Sequence, residues 1–286
     1  MIRTSPIPIS FLTTKYKFVL GRRVTGLLQE PFDREALQKR VLRKDREKKN
    51  AEMAYYIDTR ALSLRLDQVV GATNWETRIV EVKDCVDRIV VVAALTIGGT
   101  SREAEGEELK QTEDYKTNAM KSQELVFMKA GPQARKRAAV EFGIGDYLYG
   151  FSDVNTWEPL NDKGFPKDSI IDMSKLPEWA RPTPGPVLVV REAAYLLNIK
   201  LPVDLKQVSA EDTAKIQALL NDEFGVKTLS SGFSREDYLE LASVIARCSD
   251  YLDVNGGTLE GMKAEYAGTT YQLTVTDRVA VTDDVS

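Results

Sequence analysis

The stretch Gln133-Ala-Arg-Lys-Arg-Ala-Ala-Val-Glu-Phe-Gly-Ile-Gly-Asp-Tyr-Leu-Tyr-Gly150 decides how the chain is read. Ala134, Ala138, Val140 and Phe142 can be buried on one side of a short helix, while Arg135, Lys136 and Arg137 form a basic turn. Gly143 stands where a helix C-terminus favours positive φ, and Gly145 makes a second tight bend before Tyr147 and Tyr149. Taken alone, such a pattern is a core helix with a solvated basic face. Its neighbours upstream turn the reading towards polyanion binding.

The 286 residues carry a net charge of −4, and 43% are hydrophobic, enough for one large domain or two modest ones. The acidic average hides an asymmetry. Residues 203–286 hold fifteen acidic and seven basic side chains, a net of −8, which leaves +4 for residues 1–202. Arg34 to Lys49 alone holds eight basic and three acidic residues. A basic front and an acidic back suit a polyanion-binding domain joined to one that does not bind polyanions.

Two cysteines, Cys85 and Cys248, build neither a disulfide framework nor a zinc site. The chain has no histidine, which excludes Ser-His-Asp and Cys-His chemistry and histidine metal ligation. The nearest string to a phosphate loop, Gly256-Gly-Thr-Leu-Glu-Gly-Met-Lys263, has methionine where lysine must reach a phosphate. Gly143-Ile-Gly145 follows a helix rather than a strand, so it is not a dinucleotide fingerprint. No enzyme activity and no cofactor are expected. With no 18-residue apolar run and no signal-peptide pattern, a cytoplasmic protein without a membrane partner is expected.

Residues 1–30 read as an N-terminal arm. Pro31 is expected to open a helix through Ala36, Leu37, Val41 and Leu42 into the charged run at Arg43 to Lys49. Glu52 to Ile57 reads as a strand, and Asp58 caps a helix carrying Leu62, Leu66, Val69 and Val70, closed by Gly71. Trp75 to Lys83 and Asp87 to Ile97 form a hairpin whose second strand is apolar enough to be covered on both faces. Gly98 to Glu108 reads as an acidic loop, Gln111 to Asn118 as a third strand and Ser122 to Lys129 as a helix. Pro132 should break that helix, with a fresh start near Gly131-Pro132.

These elements make an α+β core over residues 31–152, an antiparallel sheet packed on a long, kinked helix. Prolines mark residues 153–186 as a linker. Ser209-Ala-Glu-Asp212 and Ser234-Arg-Glu-Asp237 each start a helix in a small acidic helical domain over 187–252. A tail over 253–286 includes Thr269 to Thr282, which alternates like a strand.

Two chemistries fit. Asp67 with Glu81-Val-Lys83 has the acid, acid-x-lysine order of some Mg²⁺-dependent nucleases, in which carboxylates hold the metal and the lysine orients water. Glu-x-Lys is also a frequent chance tripeptide on a solvated strand. The other chemistry is binding without catalysis. Lys116, Lys121 and Lys129 precede Arg135, Lys136 and Arg137, while Arg60 and Arg65 follow Tyr55-Tyr56. Packed together, these make a basic groove with aromatic residues, which holds single strands by phosphate neutralisation and base stacking.

Tyr56-Ile-Asp-Thr-Arg-Ala-Leu-Ser-Leu-Arg-Leu-Asp-Gln-Val-Val-Gly71, followed by Asn74-Trp75, resembles the strand-helix-strand opening of the Rad-fifty-two superfamily of single-strand DNA annealing proteins, in its DdrA-like branch. Pro31-Phe-Asp33 and Ala54 to Asp58 are similar to that branch's entry, and Lys136 to Tyr149 to its lysine-arginine-alanine helix and glycine-isoleucine-glycine exit. The resemblance spans about Pro31 to Gly150.

It implies a β-β-β-α core assembled into a ring, with single-stranded DNA in a basic groove and no nucleotide hydrolysis. It matches Lys136 and Arg137 to a DNA-contacting pair, sets Arg60 one position from a basic family residue, and puts Lys116 and Lys121 in a segment that contacts backbone. Two departures stand out. Gly131-Pro132-Gln133 replaces an unbroken helix, and Asp146 stands where arginine is usual. The resemblance ends near Phe151, and the acidic helical domain is expected to recruit a protein partner, to regulate the ring, or to add stability or solubility. An oligomerising adaptor that binds no DNA is the remaining alternative.

Overall fold

The computed structural model describes residues 18–113, 120–123, 125–149, 154–162, 164–167, 170–229 and 233–259. They fall into two compact units, one over Leu20–Gly185 and one that includes the residues from Pro186 onward.

The first unit begins with α1, Arg22–Gln29, followed by the paired strands β1, Leu37–Lys44, and β2, Asn50–Ile57. Helix α2, Thr59–Val69, leads to three consecutive strands, β3 (Trp75–Asp84), β4 (Arg88–Ile97) and β5 (Thr100–Leu109). A short hairpin of β6, Gln111–Glu113, and β7, Met120–Ser122, precedes α3, Val126–Val140, and then β8, Thr156–Pro159. Pairing is antiparallel throughout, in sheets ordered β1-β2-β8 and β3-β4-β5. This is the α+β architecture expected, with the long helix on the β3-β4-β5 sheet.

Helix α3 lies on β4 and β5, where Ala130 and Ala134 pack against Val91 and Ala93. Small side chains let the helix come close. A Cβ at Gly106 of β5 would sit 2.3 Å from the Ala130 carbonyl oxygen and 2.4 Å from the Ala134 nitrogen, so only glycine fits there. Asp58 caps α2 by accepting from the Ala61 N–H at 2.8 Å, and Gly71 ends it at φ 85°. Gly143 and Gly145 take φ of 80° and 70° after α3, the two bends read from the sequence.

Arg65 is buried and structural rather than part of a groove. Its guanidinium donates to the carbonyl of Glu30 at 2.5 Å and approaches those of Leu27 and Leu28, the end of α1, while lying 4.1 Å over the Phe32 ring. Tyr147 accepts from the Phe32 N–H at 2.9 Å, and burial pushes its phenol up to about 12.

Several sequence readings change. The helix expected from Pro31 is a turn at Asp33 followed by strand β1. Leu37 and Val41 are four apart, a spacing that suits a helix face and a strand face equally. The acidic loop over Gly98 to Glu108 is β5, joined to β4 by a two-residue turn with Gly98 and Gly99 at φ 56° and 81°. Gln111 to Asn118 shortens to β6 within the described residues, and Ser122 belongs to β7. Pro132 starts no new helix, because α3 runs through it from Val126 to Val140. The docked alanines on either side hold the helix where the missing N–H would otherwise break it. The covered strand β4 is only half as expected. One face meets α3, while Val90 and Val92 on the other are partly exposed. Within 153–186, β8 pairs with β2.

The second unit contains α5, Ala210–Phe224, and α6, Arg235–Asn255, and α4, Gly185–Leu196, leads into it. Ser209 caps α5 through the Asp212 N–H at 3.0 Å, and Ser234 forms a reciprocal capping box with Asp237. Ile216, Leu220, Phe224, Ile245 and Cys248 are buried. Thr269 to Thr282 lies outside the described residues. No described helix is long and apolar enough to cross a membrane.

Candidate nucleic-acid interface

Helix α3 sets the interface. Counted round the helix, Lys129, Gln133 and Arg137 fall at i, i+4 and i+8 and run beside the edge strand β5. Lys129 is 3.6 Å from the Glu108 carboxylate, Gln133 accepts from the Glu107 N–H at 2.7 Å, and Arg137 donates to the Glu105 carbonyl at 2.9 Å. The contacts of Gln133 and Arg137 satisfy backbone groups that an edge strand would otherwise leave open. The Glu108 carboxylate neutralises Lys129, whereas the charge of Arg137 stays intact because a carbonyl is neutral.

Lys136 points away from that sheet. Its ammonium lies 5.4 Å from the centre of the Tyr56 ring on β2. Partial burial lowers its pKa, the Arg40 charge lowers it further, and Asp58 works the other way. Arg40 is on β1, paired with Ala54, next to the Gln38–Tyr56 pair on the same face. Tyr149 completes the group. Burial raises its phenol pKa, while Arg137 and Arg40 both oppose that rise.

Arg40, Lys136 and Arg137 thus gather around Tyr56 and Tyr149. No ion pair neutralises any of the three among the described residues. The cluster is a patch of concentrated positive charge, in which burial and the neighbouring Arg40 lower the basicity of Lys136.

The sequence-based set divides on this geometry. Lys136 and Arg137 meet. Arg60 is exposed in the first turn of α2, two residues beyond Asp58. Arg135 is half-buried on another flank of α3, its Nε buried without a hydrogen-bond partner among the described residues. Lys121 lies on β7 opposite Thr112, with its side chain outside the described residues, as is Lys116 altogether. Arg40 was missed, since a helical reading of residues 31–49 sends its side chain elsewhere. Its alternation with Lys39 in a strand was the signal available.

The nuclease triad does not assemble. Asp67 accepts from the Trp75 indole N–H at 2.8 Å, whereas Lys83 pairs with Glu105 at 3.1 Å and Glu81 at 3.4 Å. Glu81 is six positions along β3 from Trp75, about 20 Å. No group of three metal-ligating side chains occurs among the described residues.

Beyond the bulge in β1, Arg43 pairs with the Glu52 carboxylate and lies 5.7 Å from the centre of the Trp157 ring on β8. Asn155 donates to the same carboxylate at 3.2 Å.

The site is thus a long helix laid on an antiparallel sheet, with cations and tyrosines gathered on one face of an α+β unit. A sequence model of the Rad52/22 family of double-strand break repair proteins matches residues 22–163, which takes in every element of this interface. The single-stranded DNA-binding protein DdrA of Deinococcus radiodurans is 32% identical over 183 residues, 62% of this chain and 78% of that protein. Its namesake from Deinococcus deserti is 35% identical over 186 residues, 63% of this chain and 82% of that protein. The chain belongs to the Rad52/22 family and is a DdrA-like member of it.

Proposed function

We propose that the protein binds single-stranded DNA and anneals complementary strands during break repair, as an oligomeric ring and without nucleotide hydrolysis. The observation that carries this reading is the convergence of Arg40, Lys136 and Arg137 on Tyr56 and Tyr149. The cations neutralise phosphates, and the tyrosines offer flat surfaces to unpaired bases, each stack contributing roughly 1–3 kcal/mol. Phosphate contacts carry no sequence information, which suits a protein that must accept any strand and leave base edges open for pairing. Arg60, Lys116 and Lys121 are further phosphate contacts, as the resemblance implies. Lys129 and Arg135 are left out of this set, since Lys129 is paired with Glu108 and Arg135 lies on another flank of α3. The acidic helical unit recruits a protein partner.

The test is annealing of two complementary labelled oligonucleotides without nucleoside triphosphate. Wild type accelerates it, and Lys136→Ala/Arg137→Ala does not. Because each single-strand phosphate contact contributes about 0.7 to the log–log salt slope, the double variant's slope falls by about 1.4. A folded, oligomeric wild type that binds strands without accelerating annealing overturns the annealing step. One that binds no strand turns the function to an oligomerising adaptor.

A further inference from the structure

We infer that Arg43 and Trp157 form a base-stacking station for the same bound strand, an inference that rests on the single-strand reading above. The strand pairings put the station and the tyrosine cluster on one surface. Glu52 of β2 is opposite Trp157 of β8, and Tyr56 follows four residues along the same strand. Side chains four apart in a strand share a face, so Trp157 and Tyr56 are displayed together, about 13 Å apart along β2. At the 3.4 Å rise of stacked nucleotides, that distance is about four bases.

The indole is placed for a base. Trp157 is 50% exposed, although a ring of that size on a sheet would ordinarily be covered. Its indole N–H makes no hydrogen bond among the described residues, unlike that of Trp75, which Asp67 accepts. Arg43 lies against the ring, and Glu52, steadied by Asn155, fixes the guanidinium. The ring is therefore held from one side and open on the other. A preorganised aromatic loses little freedom when a flat partner arrives. The nucleobase of an unpaired strand is such a partner, whereas the bases of a duplex are already stacked on one another.

The charges make the station distinguishable from the cluster. Glu52 already neutralises Arg43, so the station adds stacking and little phosphate neutralisation. Losing it lowers affinity without changing the salt slope, whereas losing Lys136 lowers both.

The test uses the full-length chain and oligothymidylate. Trp157→Leu keeps an apolar side chain and removes the stack, while Trp157→Phe keeps an aromatic ring. Expected are a fall in affinity of about five- to a hundred-fold for Leu at unchanged salt slope, and near-wild-type affinity for Phe. Saturable quenching of tryptophan fluorescence by the oligonucleotide should be present in wild type and strongly reduced in Trp157→Phe, which keeps Trp75 and Trp179. A folded Trp157→Leu protein with wild-type affinity, or quenching equal in wild type and Trp157→Phe, overturns the station and leaves the single-strand reading standing. A wild type that binds no oligonucleotide overturns both.

Discussion

The two faces of the β1-β2-β8 sheet use nearly the same residue types for opposite ends. Three adjacent pairs, Lys39-Arg40, Tyr55-Tyr56 and Trp157-Glu158, each send one side chain to either face, as the period of two in a strand requires. On the inner face, Lys39 meets Glu158 at 2.6 Å, and the two side chains are only 8% and 6% exposed. Tyr55 joins them through Thr156 at 2.5 Å, and burial raises its phenol pKa. On the outer face, Arg40 and Tyr56 stand beside Lys136 with no carboxylate pairing either of these two cations among the described residues, while Arg43 further along is paired with Glu52. A cation whose partner lies inside the chain stabilises the fold, and one left without a partner is available to a ligand.

The sharpest way to break this contrast is on the inner face. Glu158→Ala leaves the Lys39 ammonium buried and uncompensated, which should destabilise the unit by about 3–5 kcal/mol. Thermal or denaturant unfolding measures it. Replacing both members, as in Lys39→Met/Glu158→Leu, should recover most of the loss, because the charge and its desolvation disappear together. A Glu158→Ala protein as stable as wild type would show that water reaches this pair and that the two faces differ less than the geometry states.

The outer face should respond in the other currency. Arg40→Ala is expected to leave the unfolding midpoint nearly unchanged, to weaken single-strand binding about fivefold and to lower the salt slope by about 0.7. Arg78→Ala is the matched removal on the β3-β4-β5 sheet, where the guanidinium lies 4.0 Å from Glu103 on an exposed surface. Neither stability nor binding should change by more than about 0.5 kcal/mol there. Equal effects from the two arginines would mean that net charge, rather than the cluster, sets affinity.

What the sequence revealed and what it hid follow from the same periodicities. Helix caps and stops were legible because their chemistry is local: Asp58, Gly71, Gly143, Ser209 and Ser234 each do what their residue type dictates within three or four residues. Lys136 and Arg137 were legible through a motif. Arg40 was not. Strand β1 is Leu-Gln-Lys-Arg-Val-Leu-Arg-Lys, so charged that its alternation carries little apolar signal, and only pairing with β2 makes it a strand. Strand β5 was hidden for the same reason, its acidic side chains being tolerated because Arg78, Lys83 and Arg88 lie across from them. Pro132 misled in the opposite sense. A strong local signal lost to the packing of Ala130 and Ala134 on Gly106. Nothing short of the fold places Trp157 beside Arg43, since 114 positions separate them in the chain.

The effect most specific to the outer face is a pH dependence of binding. Burial and Arg40 hold the Lys136 amine below its ordinary value, while a DNA phosphate would favour the charged form. The amine is therefore more basic with DNA bound than without, and binding takes up a proton at pH values between the free and bound pKa. Affinity should stay level at neutral pH. It should begin to fall as pH rises through the lowered value of free Lys136, before ordinary lysines titrate, by up to about fivefold as the contact is lost. Tyr149 does not mimic this, because its phenol is shifted upward. Lys136→Arg carries a guanidinium that stays protonated throughout, so its binding should be flat over the same window. Titrating affinity against pH for the two proteins decides the matter. If their profiles coincide and both fall, another group is losing its proton and Lys136 is not the cation that meets the phosphate. If only wild type falls, the lysine over Tyr56 is the cation that meets the phosphate.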